Sequence, residues 1–148
     1  MIDPQLVALR RTYRRPGYST LADVGLDGEY VSPSQITSHS PAGPVLLAYN
    51  WLDASSALKH RAALSQCGYL QGMIFNKVVD AALRECGIPR ADIYITQAFH
   101  LLPAARSGDI PIEDVDDCFA AITRRELLGR KVIALGTKAT GACRRGCV

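Results

Sequence analysis

The stretch Pro44-Val45-Leu46-Leu47-Ala48-Tyr49-Asn50-Trp51 decides the fold of this chain. Its aliphatic residues run without alternation, which is typical of a strand that is buried on both faces. Two similar runs follow, at 93–96 and at 132–136, with helix-length patterns between them. This order predicts an α/β fold, namely a three-layer α/β/α sandwich around a small and mostly parallel sheet.

Polar side chains follow the predicted strands where each of them ends. Asn50 closes the first strand, Gln97 closes the second, and Thr137 and Lys138 follow the third. Because ligands of open parallel sheets bind outside the carboxyl ends of the strands, we expect the functional site at this rim.

Length and composition indicate an ordinary globular protein. With 148 residues, of which 48% are hydrophobic and 21% charged, the chain is expected to form a single domain over 1–148. No apolar run approaches the roughly 20 residues of a membrane helix, and no signal peptide is evident, so we expect a cytoplasmic protein without membrane association. The net charge of +3 is only a weak indication of a polyanionic partner.

The five cysteines do not suggest a disulfide framework or a metal site. An odd number of cysteines without an export signal argues against disulfides. Cys86 and Cys118 fall on apolar helix faces and are expected in the core, whereas Cys143 and Cys147 lack two further well-placed ligands. We therefore expect no metal and no cofactor.

The remaining elements follow from local signals. Asp3-Pro4 predicts the start of a helix within 1–15, and residues 16–43 are predicted to be irregular, with a possible hairpin at Asp27-Gly28. Residues 55–64 suggest a turn or two of helix, and 137–143 a short helix. Two longer helices are predicted at 72–86 and 112–127. Their apolar stripes are Phe75, Val78, Val79, Ala82, Leu83 and Cys86 in the first, and Ile112, Val115, Phe119 and Ile122 in the second.

Three segments of the core at 44–143 resemble one family. Leu83 to Gln97 is similar to the helix-to-strand passage of the uracil-DNA glycosylase superfamily, and in particular of its compact family 4 branch, where "GI-x-R-x-x-x-Y-I-T-N" is typical. Lys131 to Ala139 is similar to the "V-I-V-A-L-G" strand and turn of the same branch, and Ile112 to Cys118 to the start of one of its helices. The resemblance implies a uracil-DNA glycosylase-like fold that lacks the last strand.

The resemblance also assigns roles at the rim. It places Asn50 where the family positions the hydrolytic water, although capping of the following helix is an equally good interpretation of this residue. It places Gln97 where the family reads the base, and it implies that Tyr69, or alternatively Phe75, stacks on that base. Tyr49 and Trp51 would line the same base-binding site. Thr137 and Lys138 would contact phosphate, and His100 the leaving group.

Two departures from the family bear on activity. Only Cys118 stands at an iron–sulfur position, and Leu101 occupies a second one, so no cluster is expected. The fourth strand and the histidine loop of the family are also not found. Two functions therefore stay open. One is a glycosylase-like protein that binds a flipped base in DNA, with or without hydrolysis of its N-glycosidic bond. The alternative is a catalytically inactive module that binds nucleic acid or protein.

The predicted third strand raises the question of what pairs with its outer edge. An unpaired apolar edge is a template for another chain. Three solutions are open: a substitute strand from residues 16–43, a homodimer, or a protein partner.

Overall fold

A computed structural model describes residues 2–106 and 109–148 of the chain. Three strands, β1 (Val45–Asn50), β2 (Tyr94–Phe99) and β3 (Val132–Ala134), form a parallel sheet in the order β2-β1-β3. The predicted α/β architecture with a small parallel sheet is thus confirmed.

Helices connect the parallel strands, as crossover connections require. Those between β1 and β2 are α2 (Ala54–Lys59), α3 (Arg61–Cys67) and α4 (Ile74–Cys86), and those between β2 and β3 are α5 (Ile112–Cys118) and α6 (Arg124–Leu127). Helix α1 (Pro4–Thr12) precedes β1, and α7 (Thr137–Arg145) follows β3. A π-helical turn (Phe119–Thr123) joins α5 to α6, and two 3₁₀ turns lie at Pro33–Ile36 and Arg90–Asp92. Within the described residues, no helix is long and apolar enough to cross a membrane.

The first helix starts where its local signals predict. The Asp3 carboxylate accepts a hydrogen bond of 2.9 Å from the Gln5 N–H, and Pro4 occupies the first helical position. A capping oxygen satisfies one of the free N–H groups at a helix start, and proline loses no hydrogen bond there.

The two faces of the sheet are covered by different helices. Tyr94 and Thr96 of β2 point toward the helices that follow β2, where both bond to Glu126 of α6. Ile93 and Ile95 point the other way and pack with Val79 of α4. This alternation follows from the two-residue period of a strand and buries both faces of β2.

The core between β2 and the helices that follow it contains a buried carboxylate. Glu126 is 4% exposed, and its two oxygens accept hydrogen bonds from the Tyr94 hydroxyl (2.6 Å), the Thr96 hydroxyl (2.8 Å) and the Gln35 amide (3.3 Å). The His100 Nε2 atom lies 3.1 Å from it. A buried carboxylate is tolerated only when donors replace its water, and Gln35, Tyr94 and Thr96 do so here.

The π-helical turn precedes this carboxylate and contributes to its surroundings. The Thr123 hydroxyl donates to the Gln97 carbonyl at 3.0 Å and lies 3.1 Å from His100 Nε2. The helical segment 112–127 is therefore fastened to β2 by side-chain hydrogen bonds as well as by apolar packing.

Several residues of the predicted apolar stripes are exposed, which corrects those predictions. Val78 is 61% exposed and Ile112 62%, and Ala82 and Cys86 are exposed as well. The spacing of apolar residues predicted a wider buried stripe on each helix than the rest of the protein covers. Of the two cysteines expected in the core, only Cys118 is buried there.

The irregular segment contains no hairpin at Asp27-Gly28 in the described structure. Instead, the Asp27 carboxylate accepts hydrogen bonds from Arg10 (2.7 Å) and Arg11 (3.1 Å) of α1. Arg10 also donates to the Gly28 carbonyl. Cations from the helix thus hold these residues, so that strand pairing is not needed to order them.

The same segment covers one edge of the sheet. The Ser40 N–H donates to the Ile93 carbonyl (3.0 Å), and the Ile95 N–H donates to the Ser38 carbonyl (3.2 Å), around a bridge from His39 to Tyr94. These bonds lie on the outer edge of β2. The substitute strand suggested for the β3 edge is therefore not formed, and within the described residues β3 pairs with β1 alone.

We predict that Glu126→Gln lowers the free energy of unfolding by about 1–3 kcal/mol, because its new NH₂ group meets donors where the carboxylate had accepted them. Urea unfolding at neutral pH measures this. The control is Glu85→Gln on the exposed surface of α4, which should stay within about 0.5 kcal/mol. Equal effects from the two changes would show that the buried network does not contribute to stability.

Candidate functional site

The strand order β2-β1-β3 places the candidate ligand crevice at the carboxyl ends of β1 and β3. The chain after β1 leads to α4, which packs on one face, whereas the chain after β3 enters α7, whose Ala139 and Ala142 pack in the core of the opposite face. Neighbouring parallel strands whose connections leave toward opposite faces form the usual ligand crevice of open α/β sheets. The polar residues at these two strand ends are therefore the candidate site.

Tyr49 and Lys138 meet across this crevice. The Lys138 Nζ atom lies 4.9 Å from the centre of the Tyr49 ring, and the Tyr49 hydroxyl donates to the Ile110 carbonyl at 3.2 Å. Burial raises the pKa of the Tyr49 hydroxyl, so it stays protonated at neutral pH. The pair presents an aromatic surface with a cation beside it.

The start of α7 adds backbone donors to the crevice. Gly136 precedes this helix with a φ of 89°, which favours glycine, and no side chain caps the helix. Thr137 and Lys138 in its first turn are both exposed. Uncapped N–H groups and the helix dipole attract anions, so this end of the crevice suits a phosphate group.

Asn50 is half-buried at the end of β1, and its carboxamide makes no hydrogen bond with the described residues. The alternative that Asn50 caps the following helix is wrong. Asp53 is the N-cap of α2, and its carboxylate accepts a bond of 2.9 Å from the Ser56 N–H. The Asn50 carboxamide is therefore free to bind a ligand or to orient water.

Trp51 connects the rim to the end of α3. Its indole Nε1 donates to the Gly68 carbonyl at 3.0 Å. Gly68 has a φ of 82°, and a Cβ atom there would lie 1.9 Å from the Pro33 carbonyl oxygen. Glycine is thus required at this position, and the close approach it allows positions the carbonyl that holds the indole against the cluster of Leu52 and Leu64.

Two predicted site residues, Gln97 and His100, are buried. Gln97 is 3% exposed, and its side chain makes no hydrogen bond within the described structure. The His100 side chain is 1% exposed and lies against Glu126 and Thr123. In this arrangement His100 does not reach a ligand in the crevice.

The two predicted stacking residues also have other partners. The Arg90 guanidinium lies 3.6 Å from the centre of the Tyr69 ring and covers one of its faces. Phe75 is half-buried and packs against the core beneath α4. Base stacking by Tyr69 stays a prediction.

The described residues include no group of three His, Cys, Asp or Glu side chains placed to hold a metal ion. The five cysteines are free of disulfides. Burial raises the pKa of the Cys118 thiol to about 12, and its sulfur accepts a hydrogen bond from the His100 N–H. This cysteine is therefore an inert core residue.

Two structurally important residues near the site were not anticipated. Asp53 had the signal of an N-cap, since it stands directly before a helical pattern. Glu126 had no such signal, because a glutamate beside Arg124 and Arg125 is typical of an exposed helix end.

No family model matches this chain, and neither a curated protein nor a solved structure matches it significantly. The likeness to uracil-DNA glycosylases thus depends only on the segments quoted for it.

We predict that Gly68→Ala destabilises the protein more than Gly87→Ala. Both glycines have a positive φ, but a Cβ at Gly87 meets nothing within 4 Å. Gly87→Ala should cost about 1–2 kcal/mol, because alanine disfavours a positive φ. Gly68→Ala carries the same cost, and the clash of its Cβ atom with Pro33 adds to it. Urea unfolding compares them. The emission of Trp51, the single tryptophan, should change only in Gly68→Ala, and equal effects would contradict the steric argument.

Proposed function

We propose that this chain binds an unpaired base of DNA in the crevice between β1 and β3, as a uracil-DNA glycosylase-like protein. The observation that carries the proposal is the Asn50 carboxamide at the end of the central strand, which makes no hydrogen bond with any described residue. Asn50 directly follows Tyr49, whose ring lies beside the Lys138 ammonium group.

The chemistry of the crevice suits a nucleotide. A carboxamide offers one donor group and one acceptor, which match the edge of a base. Tyr49 and Trp51 supply aromatic surface on either side of Asn50 in sequence. Lys138 and the first N–H groups of α7 supply positive charge for the adjoining phosphate.

Base binding ranks ahead of hydrolysis in this proposal. In hydrolysis, water attacks the sugar C1′, the bond from C1′ to the base breaks, and the base leaves with the electron pair and later takes a proton. Asn50 would orient that water, since such a reaction needs positioning more than a strong base. However, the departing base also needs stabilisation, and His100 is enclosed by Glu126 and Thr123. We therefore expect slow turnover or none.

Fluorescence anisotropy with labelled single-stranded DNA tests the proposal. Lys138→Ala should weaken binding roughly fivefold at low salt and reduce the salt slope by about 0.7, as expected for one lost phosphate contact. Lys131→Ala is the matched control, because Lys131 is an exposed lysine before β3, at the opposite end of the sheet. Asn50→Ala should remove the difference in affinity between DNA with a base and DNA with an abasic site.

Equal losses for Lys138→Ala and Lys131→Ala would show nonspecific charge attraction and overturn the proposed site. The same proteins are then assayed for uracil release. Rapid release that Asn50→Ala abolishes would contradict our ranking and identify a glycosylase. Rapid release that Asn50→Ala leaves unchanged would exclude Asn50 as the group that positions water.

A second candidate function, assembly of two copies, is favoured by the free edge of β3. Residues 38–40 cover the edge of β2, but no described residue pairs with the outer edge of β3. Ile133 is 44% exposed on this strand, and Ile74 is 78% exposed on α4. We propose that two β3 strands pair edge to edge about a two-fold axis, which makes them antiparallel.

Light scattering with size-exclusion chromatography tests this assembly, and Ala134→Pro is the decisive variant. Lys131 and Leu135 bond to β1, so the alternation of the strand turns the N–H of Ala134 outward. Proline there removes an outward donor only. The wild-type mass should rise toward two copies with concentration, and Ala134→Pro should stay monomeric with unchanged circular dichroism. A wild-type protein that is monomeric at every concentration would refute the assembly.

A further inference from the structure

The side of α4 that faces away from the sheet carries exposed apolar residues. Ile74 is 78% exposed, which is the largest exposed fraction among the large apolar side chains of the described structure, and Val78 is 61% exposed. Ala81 is exposed as well, whereas Val79 is 6% exposed and packs on the sheet. Ile74, Val78 and Ala81 follow one another at spacings of four and three residues, so they form one row along the helix.

Two oppositely charged residues belong to the same side of α4. Lys77 precedes Ala81 by four residues, and Glu85 follows it by four. Both are exposed, and neither makes an ion pair with a described residue. This side of the helix thus has a cation toward its start, an anion toward its end and a small side chain midway between them.

Such an arrangement is complementary to a second copy of itself. Two α4 helices that cross antiparallel at Ala81 bring Lys77 of each copy to Glu85 of the other, because both residues lie four positions from the crossing point. A parallel pair would instead set lysine against lysine and glutamate against glutamate, which repel each other. The small side chain of Ala81 lets the two helices approach closely where they cross.

The exposed apolar residues would be covered in the same contact. Val78 and Arg84 lie three positions on either side of Ala81, so Val78 would pack against the aliphatic stem of Arg84 from the other copy. Ile74 would reach the last turn of the other helix. Removal of this apolar surface from water would add to the attraction of the two ion pairs.

We propose that α4 pairs antiparallel with α4 of a second copy, about a two-fold axis at Ala81. The inference goes beyond the assembly through β3 and does not depend on base binding. A contact between two single helices is small and adds no backbone hydrogen bonds, so it is weaker than edge pairing and forms at higher protein concentration. Because the two contacts use different elements, together they would link pairs of copies into larger assemblies.

Sedimentation equilibrium of Ala134→Pro tests the pairing, because edge pairing is blocked in this variant. It should be monomeric where the wild-type protein has reached two copies, and it should form two copies at higher concentration. Lys77→Glu and Glu85→Lys, each added to Ala134→Pro, should weaken this association roughly tenfold, since two surface ion pairs become two like-charge pairs. Both changes together restore opposite charges and should return the affinity to within about twofold.

The matched control is Lys59→Glu, which reverses an exposed lysine of α2. It should change the association by less than about twofold, because it alters the net charge as Lys77→Glu does but not the proposed contact. NMR locates the interface directly. The backbone N–H signals of Val78 and Ala81 in Ala134→Pro should shift with protein concentration, and Lys77→Glu should suppress these shifts.

The outcomes separate the α4 contact from the β3 assembly. If the wild-type protein pairs and Ala134→Pro stays monomeric at every concentration, the edge assembly stands and the α4 inference is wrong. If Ala134→Pro associates but the two charge reversals leave its affinity unchanged, the α4 inference is also wrong. If the wild-type protein and Ala134→Pro associate equally and Lys77→Glu weakens both, α4 is the interface and the edge assembly is wrong. If neither protein associates, both proposals are wrong.

Discussion

The burial of the Glu126 carboxylate is the constraint on which much of this structure depends. A carboxylate in an apolar core must regain the hydrogen bonds that water gave it, or folding becomes unfavourable. Here the donors come from Gln35 and from Tyr94 and Thr96, and the His100 ring lies beside the same carboxylate. The network therefore sets the position of α6 against β2 and brings the irregular N-terminal segment onto both. Apolar packing alone would not specify these three parts so closely.

This network also determines which residues are available at the rim. Because His100 contributes to the Glu126 cluster, it is withdrawn from the crevice, and Gln97 is buried on the same strand. The groups left for ligands are on β1 and after β3, namely Asn50 and Lys138 with its aromatic neighbour Tyr49. In the function proposed above, these groups would hold a base and a phosphate but would offer the departing base little stabilisation. For this reason the proposal places binding ahead of hydrolysis.

The two edges of the sheet differ in whether another segment of the chain covers them. Residues 38–40 satisfy the backbone groups on the outer edge of β2, whereas those on β3 have no partner strand within the described residues. Ile133 on β3 and Val78 on α4 are exposed as well, at 44% and 61%. An interface there would satisfy both the free backbone groups and the uncovered apolar surface.

The sequence by itself determined the elements whose causes are local. The unbroken apolar run from Val45 predicts a buried strand, and Asp3-Pro4 and Gly87 mark the ends of helices, because each signal acts within a few residues of itself. Only the tertiary structure decided which of the residues in the predicted stripes are covered, and that His100 lies against Glu126. It also decided that Arg90 covers Tyr69. These outcomes depend on contacts between residues far apart in the chain, and periodicity carries no information about which partner a side chain meets.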